Sequence, residues 1–452
     1  MSDRFIISDY ARMAIEMLNN AGFEAYIVGG AVRDMVMSSE PHDYDIATSA
    51  LPQETEKVFN GFRLIETGMK HGTVTVLIEG NPVEITTFRV DGDYTDMRRP
   101  DTVSFTPELK NDLSRRDFTC NALAFNPSEG IIDYFGGIGD IKNKTIKCVG
   151  EPDRRFREDA LRIMRALRFS SVLGFEIDKD TSDSIHSNRD LLNYISKERI
   201  FSELCKLLEG KDVYRVLDNY HDIVFTIMPE LEPMYNLDQQ NPAHRYDVWH
   251  HTLHAVENIR PDAELRLAML FHDSGKPTVK TIDENGIGHF YGHAEYSVEI
   301  ARKILGYMKT SNRLCKHVCD LVEHHGLMPE KMSAGTFRKY IGLLGEDTIR
   351  ELFEVRDADV RALDSFLTEK FISENDNARE FFREITESAD CFGLKDLAVN
   401  GNDLIDIGFT EDSSLGKALS ALLDEVLNNK LDNEKKALLK RAKEFLDENR
   451  NG

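Results

Sequence analysis

The spacing of hydrophobic positions changes near residue 150. After that point apolar residues recur at helical spacing, as in Leu161, Met164 and Leu167, and strand-like patterns nearly vanish. Before it, helix-like segments alternate with four short β-type runs, at Glu24–Val28, Gly72–Ile78, Pro82–Phe88 and Thr102–Phe105. The pattern predicts an α+β protein in which a mixed head of sheet and helices precedes an all-helical remainder.

The chain of 452 residues is too long for one compact core. Prolines at Met228–Pro233 and at Asn241-Pro242 mark breaks in the helical part. We therefore predict four parts: a head at 1–150, a neck at 151–235, a body at 236–385 and a tail at 386–452.

Two short motifs in the head carry candidate chemistry. Gly29-Gly30 follows a strand-like end and precedes a segment that can open a helix, and Asp43 and Asp45 lie two positions apart. On an extended strand, residues two apart point to the same face, and two carboxylates there repel each other unless a cation lies between them. Either motif alone is usually a solvated turn. Together they favour a Mg²⁺ site for phosphoryl or nucleotidyl transfer.

Five sequence blocks then occur in a characteristic order. They are GGAVRD (29–34), DYDIAT (43–48), RRDFTCNA (115–122), DYFGG (133–137) and EDALR (158–162). In this order they resemble the class II tRNA nucleotidyltransferases, which are the CCA-adding enzymes, and the related bacterial poly(A) polymerases. The resemblance implies a polymerase-β-like nucleotidyltransferase head, Mg²⁺ as cofactor, CTP and ATP as substrates, and tRNA as partner.

The resemblance also implies residue roles. Asp43 and Asp45 would hold the catalytic metals, and Glu84, which alternates correctly on a strand, would be a third acid unless it simply faces solvent. The implied nucleotide-binding residues are Gly29, Gly30, Arg33, Arg115, Arg116, Asp117, Asn121, Asp159, Arg162, Arg165 and Arg168. On a helix, Asp159 and Arg162 share a face, and the resemblance makes them a protein template for cytosine and adenine; a surface salt bridge is the alternative.

Two segments help to distinguish the CCA-adding enzymes from the poly(A) polymerases. Thr67–Val76 is similar to the version found in CCA-adding enzymes, and Arg89–Pro100 resembles the flexible loop that complete CCA addition needs. We therefore favour CCA addition, while A-only addition and polyadenylation stay open. The stretch from Leu397 to Lys435 resembles the tail with which CCA-adding enzymes grip tRNA.

The predicted body contains a second cluster of metal-ligand types. Its members are His250, His251, His272, Asp273, His293, His324, His325 and Asp359. The series resembles the HD phosphohydrolase superfamily, which makes His251, His272, Asp273 and Asp359 the implied ligands of a divalent metal. His293, His324 and His325 would surround this metal or hold a second one. An inactive scaffold and a phosphohydrolase as the main activity are both alternatives.

Charge and composition indicate which partners and which cellular location to expect. The net charge of −23 argues against a nucleic-acid partner on average, but six arginines between 154 and 168 supply a local basic track. No apolar run approaches the roughly 18–20 residues of a membrane span, the first residues lack a signal-peptide pattern, and six cysteines are scattered. We predict a cytoplasmic protein with reduced thiols and without a membrane or an obligate protein partner.

Overall fold

The computed structural model describes residues 7–65, 68–69, 72–92, 102–363, 365–388 and 391–451. The chain divides into two compact units, residues 1–229 and 230–452. Sheet and helices mix in the first unit and helices dominate the second, which confirms the predicted α+β class. The division at 229/230 falls near the predicted end of the neck, and the four-part organisation stays a prediction.

Eleven short strands and eleven helices occur in the described part of the first unit. The strands are β1 (Ala25–Val28), β2 (Asp45–Thr48), β3 (Arg63–Ile65), β4 (Thr73–Ile78), β5 (Asn81–Thr87), β6 (Arg89–Asp91), β7 (Val103–Phe105), β8 (Leu123–Asn126), β9 (Gly130–Asp133), β10 (Thr145–Ile146) and β11 (Glu176–Ile177). The helices are α1 (Asp9–Asn20), α2 (Gly30–Val36), α3 (Pro52–Val58), α4 (Leu109–Ser114), α5 (Gly137–Lys142), α6 (Pro152–Glu158), α7 (Leu161–Leu173), α8 (Lys179–Asn188), α9 (Lys197–Leu208), α10 (Val213–Asn219) and α11 (His221–Ile227). The four predicted β-type runs therefore coincide with β1, β4, β5 and β7.

The main sheet has the strand order β3-β4-β5-β2-β1-β8-β9. β2 and β5 run parallel, whereas the other neighbouring pairs are antiparallel. β4 shows the alternation of a strand with one covered face, since Val74, Val76 and Ile78 are buried. β1 and β8, which lie side by side within the sheet, are buried at every position. The parallel pairing of β2 with β5 brings together residues far apart in sequence.

Regular structure in the described part of the second unit consists of helices and one short hairpin. Its elements are α12 (Val248–Asn258), α13 (Ala263–Phe271), α14 (Lys276–Val279), β12 (Thr281–Ile282), β13 (Gly288–His289), α15 (His293–Tyr307), α16 (Asn312–His324), α17 (Ala334–Leu344), α18 (Glu346–Arg361), α19 (Ser365–Ser388), α20 (Gly401–Asp406), α21 (Ser413–Leu427) and α22 (Lys435–Asn451). α12 packs against α13 and α18, and α15 packs against α16. The last three helices share an apolar core that includes Leu404, Leu422 and Leu438.

Two further findings concern the chain as a whole. None of the helices within the described ranges combines the length and the hydropathy that crossing a bilayer requires. All six cysteines are free thiols, as predicted.

Candidate functional site

Three carboxylates lie on or directly beside two neighbouring inner strands of the head sheet. Asp45 begins β2 and lies directly beside Glu84 of β5 in the parallel register. Asp43 precedes the strand, but Tyr44 and Ile46 are buried while Asp43 and Asp45 are exposed, so the two aspartates share the exposed face. The structure thus brings together the three acids that the sequence grouped as metal ligands.

The electrostatics of these acids fit a cation site. Desolvation raises the pKa of Asp45; the guanidinium of Arg116 opposes this rise and the neighbouring charge of Asp43 adds to it. Desolvation and the charges of Asp45 and Asp43 likewise raise the pKa of Glu84. A divalent cation would relieve this repulsion, because it places positive charge between the carboxylates.

The glycine turn brings an arginine close to these acids. Gly29 has a φ of +74°, and a Cβ there would lie 2.9 Å from Nη1 of Arg116. The same guanidinium donates from Nη2 to Oδ2 of Asp112 at 3.4 Å, and Arg115 forks onto Oδ1 of Asp112 at 3.0 and 2.7 Å. Asp112 is fully buried and therefore anchors both arginines. Its role gave no signal in the sequence, because it lies outside the recognised blocks.

A hydrogen-bond chain connects four of the other predicted nucleotide-binding residues. Arg33 donates from Nη1 to Oδ1 of Asn121 at 2.9 Å, and Asn121 donates to Oδ1 of Asp117 at 3.3 Å. Arg165 contacts Oδ2 of Asp117 through Nε at 2.8 Å and Nη2 at 2.5 Å. Burial alone would raise the pKa of Asp117, but the charge and hydrogen bonds of Arg165 lower it to about 2. The carboxylate therefore stays ionised and fixes the chain.

Three guanidinium groups lie close to one aromatic ring. Arg168, Arg33 and Arg165 lie 4.1, 5.3 and 5.5 Å from the ring centre of Phe169. Arg168 also forms an ion pair with Glu203 at 2.8 Å. Phe169 and Glu203 give no signal in the sequence, since a phenylalanine and a glutamate at helical spacing look like ordinary packing and surface residues. The arginines are held by the protein in a positively charged group suited to phosphate oxygens.

The predicted helix through Asp159 and Arg162 is wrong. α6 ends at Glu158 and α7 begins at Leu161, and Asp159 between them is extended, with φ −144° and ψ 102°. Its Oδ1 accepts the N–H of Leu161, the first residue of α7, at 3.1 Å, so this bond satisfies a free N–H at the start of that helix and favours the break. Arg162 is buried and donates to Oε2 of Glu158 at 2.9 Å and to the carbonyl oxygen of Arg115 at 3.0 Å.

The histidines and aspartates of the second unit also meet. Nε2 of His251 lies 2.9 Å from Oδ1 of Asp359 and 3.5 Å from Oδ2 of Asp273, and Nε2 of His272 lies 3.2 Å from the same Asp273 oxygen. Gly275 permits this arrangement, because a Cβ there would lie 2.2 Å from the carbonyl oxygen of His293. All four residues that the sequence named as ligands therefore lie in one cluster.

The cluster has two ligand groups that share Asp273. His251, His272 and Asp273 form one, and Asp273, His293 and His325 form the other, with the ligand atoms of each group within 4.8 Å of one another. Neither His250 nor His324 belongs to them. His250 contacts the carboxylate of Asp247 at 2.8 Å, and His324 contacts the carbonyl oxygen of Asp320 at 2.9 Å.

The donor set fits a divalent metal. Nε2 of His272 is buried and has no hydrogen-bond partner in the described part of the chain. Burial would lower the pKa of His272, yet the carboxylates of Asp273 and Asp359 raise it to about 10. Positive charge is therefore favoured at this point, and a metal ion bound by the imidazoles and carboxylates would supply it.

Family models match three parts of the chain. Residues 25–147 match the poly A polymerase head domain, 174–233 match the probable RNA and SrmB-binding site of polymerase A, and 283–442 match the putative domain 2 of tRNA nucleotidyltransferase. The first match covers the three acids and the glycine turn, residues 148–173 lie outside all three matches, and the third match covers most of the second unit. They do not name an HD domain, so that interpretation of the second cluster stays a prediction.

Curated relatives decide between the two related families. The CCA-adding enzyme of Latilactobacillus sakei is 35% identical over 434 residues, which covers 95% of this chain and 96% of that protein. The chain belongs to the CCA-adding enzyme family. The CCA-adding enzyme of Lactobacillus delbrueckii is 53% identical over 202 residues, a match that spans 45% of this chain and about half, 50%, of that relative.

A solved CCA-adding enzyme has the same fold. The structure from Bacillus stearothermophilus in complex with CTP is 31% identical, covers 98% of each chain and superposes with a TM-score of 0.74. The Thermotoga maritima CCA-adding enzyme complexed with tRNA is 19% identical with a TM-score of 0.58, which shows likeness of fold alone. Two segments used above to favour CCA-adding enzymes are incompletely described, since residues 66–67, 70–71 and 93–101 lie outside the described ranges.

Proposed function

We propose that the chain adds CCA to the 3′ end of tRNA without a nucleic-acid template, using CTP and ATP and releasing pyrophosphate. The observation that carries this proposal is the register that places Glu84 beside Asp45, with Asp43 on the same face and Arg116 nearby. The full-length relatives do not favour the polyadenylating or A-only alternatives. The protein would act in the cytoplasm with tRNA as its partner.

Asp43, Asp45 and Glu84 would hold divalent cations, for which we propose Mg²⁺. When bound, such cations lower the pKa of the attacking 3′-hydroxyl and neutralise the leaving pyrophosphate. The chain supplies the remaining charge. Arg116 beside Gly29 and the arginines around Phe169 present donors to the triphosphate, while buried Asp112 and Asp117 fix their directions.

Asp159 and Arg162 would select the base. Cytosine and adenine each offer an exocyclic amino group beside a ring-nitrogen acceptor, and a carboxylate with a guanidinium matches that pattern. Uracil and guanine carry a carbonyl in the place of the amino group, so a carboxylate rejects them. The extended backbone at Asp159 separates it from the helical face of Arg162, so the two side chains approach a base from different elements.

The experiment that tests this function compares the wild type with Asp45→Asn in transfer of CMP from CTP to tRNA that ends at the discriminator base. We expect loss of transfer with retained tRNA binding. Asp190→Asn changes an exposed aspartate of the same unit and is the control that keeps full activity. Full transfer by Asp45→Asn would contradict the proposal.

A second activity is favoured by the cluster around Asp273. We propose that it binds divalent metal and hydrolyses phosphate esters of nucleotides or RNA ends. The test measures Mn²⁺ content and hydrolysis of bis(p-nitrophenyl) phosphate in the wild type, His272→Ala and the control His324→Ala, whose ring lies outside both ligand groups. Loss of metal and hydrolysis in the first variant only is the expected result. Equal metal content in all three would contradict it.

A further inference from the structure

A second arginine contacts the carboxylate assigned to base selection. Nη2 of Arg199, on α9, donates to Oδ2 of Asp159 at 3.0 Å, and the two groups form an ion pair. α9 packs against α7, the helix that begins two residues after Asp159. Sequence analysis gave Arg199 no role, because it lies outside all five recognised blocks.

The two oxygens of Asp159 are held by different elements. Oδ1 accepts the backbone N–H of Leu161 at 3.1 Å, and Oδ2 accepts from Arg199. Asp159 lies between two helices in an extended conformation, so no helical face sets its direction. These two contacts therefore decide where its remaining lone pairs point.

One donor atom of Arg199 is not used by the contact with Asp159. Its Nη1 is buried and has no hydrogen-bond partner within the ranges that the structure describes. One turn along α9, Glu203 is buried and pairs with Arg168 at 2.8 Å and with Arg165 at 3.8 Å. The same face of α9 thus holds Asp159 through Arg199 and the arginines near Phe169 through Glu203.

We propose that Arg199 is a positioning residue that sets base discrimination through Asp159; this inference rests on the proposed CCA addition. A carboxylate held by two donors presents its free lone pairs in one direction. An amino group of cytosine or adenine is accepted there, whereas the carbonyl of uracil or guanine meets another oxygen and is repelled. If Arg199 is shortened, the carboxylate turns, the correct base loses a hydrogen bond and the wrong base loses its repulsion.

The test uses Arg199→Lys, which keeps the charge and removes the planar fork, with Arg199→Gln as a second variant. Single additions of CTP, ATP, UTP and GTP to tRNA give kcat/KM for each nucleotide. We expect the CTP-to-UTP ratio to fall about tenfold, as loss of one hydrogen bond to a charged group implies. Arg189→Lys is the matched control: Arg189 belongs to the same unit, pairs with Asp222 at 3.8 Å and should leave the ratio unchanged.

A structural role alone would give a different result. It would lower kcat/KM for CTP and UTP by the same factor, or change only the midpoint of thermal unfolding, and either result would overturn the proposal. Because Arg199 acts through Asp159, adding Arg199→Lys to Asp159→Asn should not change the ratio further. An additional change in the double variant would also overturn it. A wild type that adds no nucleotide contradicts the proposed function itself, and this outcome is visible before any variant is made.

Discussion

Replacing Asp117 by asparagine tests whether the ion pair at the centre of the head site stabilises the unit. An asparagine Oδ1 can still accept from the N–H of Phe118 and from Asn121, which contact Oδ1 of Asp117, so the variant removes chiefly the fork from Arg165. The pKa of Asp117 falls from 3.8 to about 2 in the folded protein. At about 1.4 kcal/mol per pKa unit, this shift corresponds to about 2–3 kcal/mol of stabilisation.

The sign of the pH dependence follows from this shift. Because the folded-state pKa lies below the unfolded-state value, the contribution is fully present above about pH 4 and is lost as the pH falls toward 2. We therefore expect Asp117→Asn to lower the free energy of unfolding by about 2–3 kcal/mol at pH 7. The difference from the wild type should shrink below pH 4.

The assay is urea unfolding followed by circular dichroism, in a double-mutant cycle with Arg165→Met. The control cycle uses Lys179 and Asp183, whose exposed side chains form an ion pair at 2.6 Å, close to the 2.5 Å of the Asp117 pair. The Asp117 pair is buried and has two donor atoms from one arginine, whereas the control pair is an exposed single contact within one helix, so we expect clear coupling in the first cycle and little in the second. Equal coupling in the two cycles would refute the argument from burial.

Three further predictions concern single residues. Gly29→Ala should lower both stability and nucleotide transfer, because it adds strain at positive φ and a Cβ 2.9 Å from Arg116. The control Gly80→Ala, at a glycine with positive φ and open space around it, should lower stability alone. Thermal unfolding measures the first quantity and a nucleotide-transfer assay the second. Glu84→Gln should raise the Mg²⁺ concentration needed for half-maximal transfer, and an unchanged Mg²⁺ dependence would remove Glu84 from the metal site. Arg338→Met should destabilise the second unit by about 2–3 kcal/mol in urea unfolding, because buried Arg338 donates to a backbone carbonyl oxygen and to an asparagine; a loss near zero would contradict this.

Local patterns allowed much of the head to be predicted. Alternation along β2 and β5 placed Asp45 and Glu84 on exposed faces, and the register that joins them is consistent with both predictions. The sequence did not show that β2 and β5 are neighbours in the sheet. A helix and a hairpin separate the two strands along the chain, and pairing over that distance depends on the packing of the whole sheet.

The predictions that were wrong or missing also have physical causes. Helical spacing around residue 160 predicted a continuous helix, but the hydrogen bond that the N–H of Leu161 donates to Asp159 favours a break. Asp112 and Glu203 were missed because a buried carboxylate is recognisable only from the arginines that surround it in space. His251, His272, Asp273 and Asp359 lie together in the structure, and imidazoles and carboxylates are the residue types that metal sites use; metal binding by them stays a prediction.

The most direct measurement incubates the protein with Mg²⁺ and tRNA that ends at the discriminator base, and reads product lengths on a sequencing gel. Growth by three nucleotides with CTP and ATP together, and by two with CTP alone, is the result that the account predicts. A long ladder with ATP alone, or no growth with both nucleotides, would contradict it.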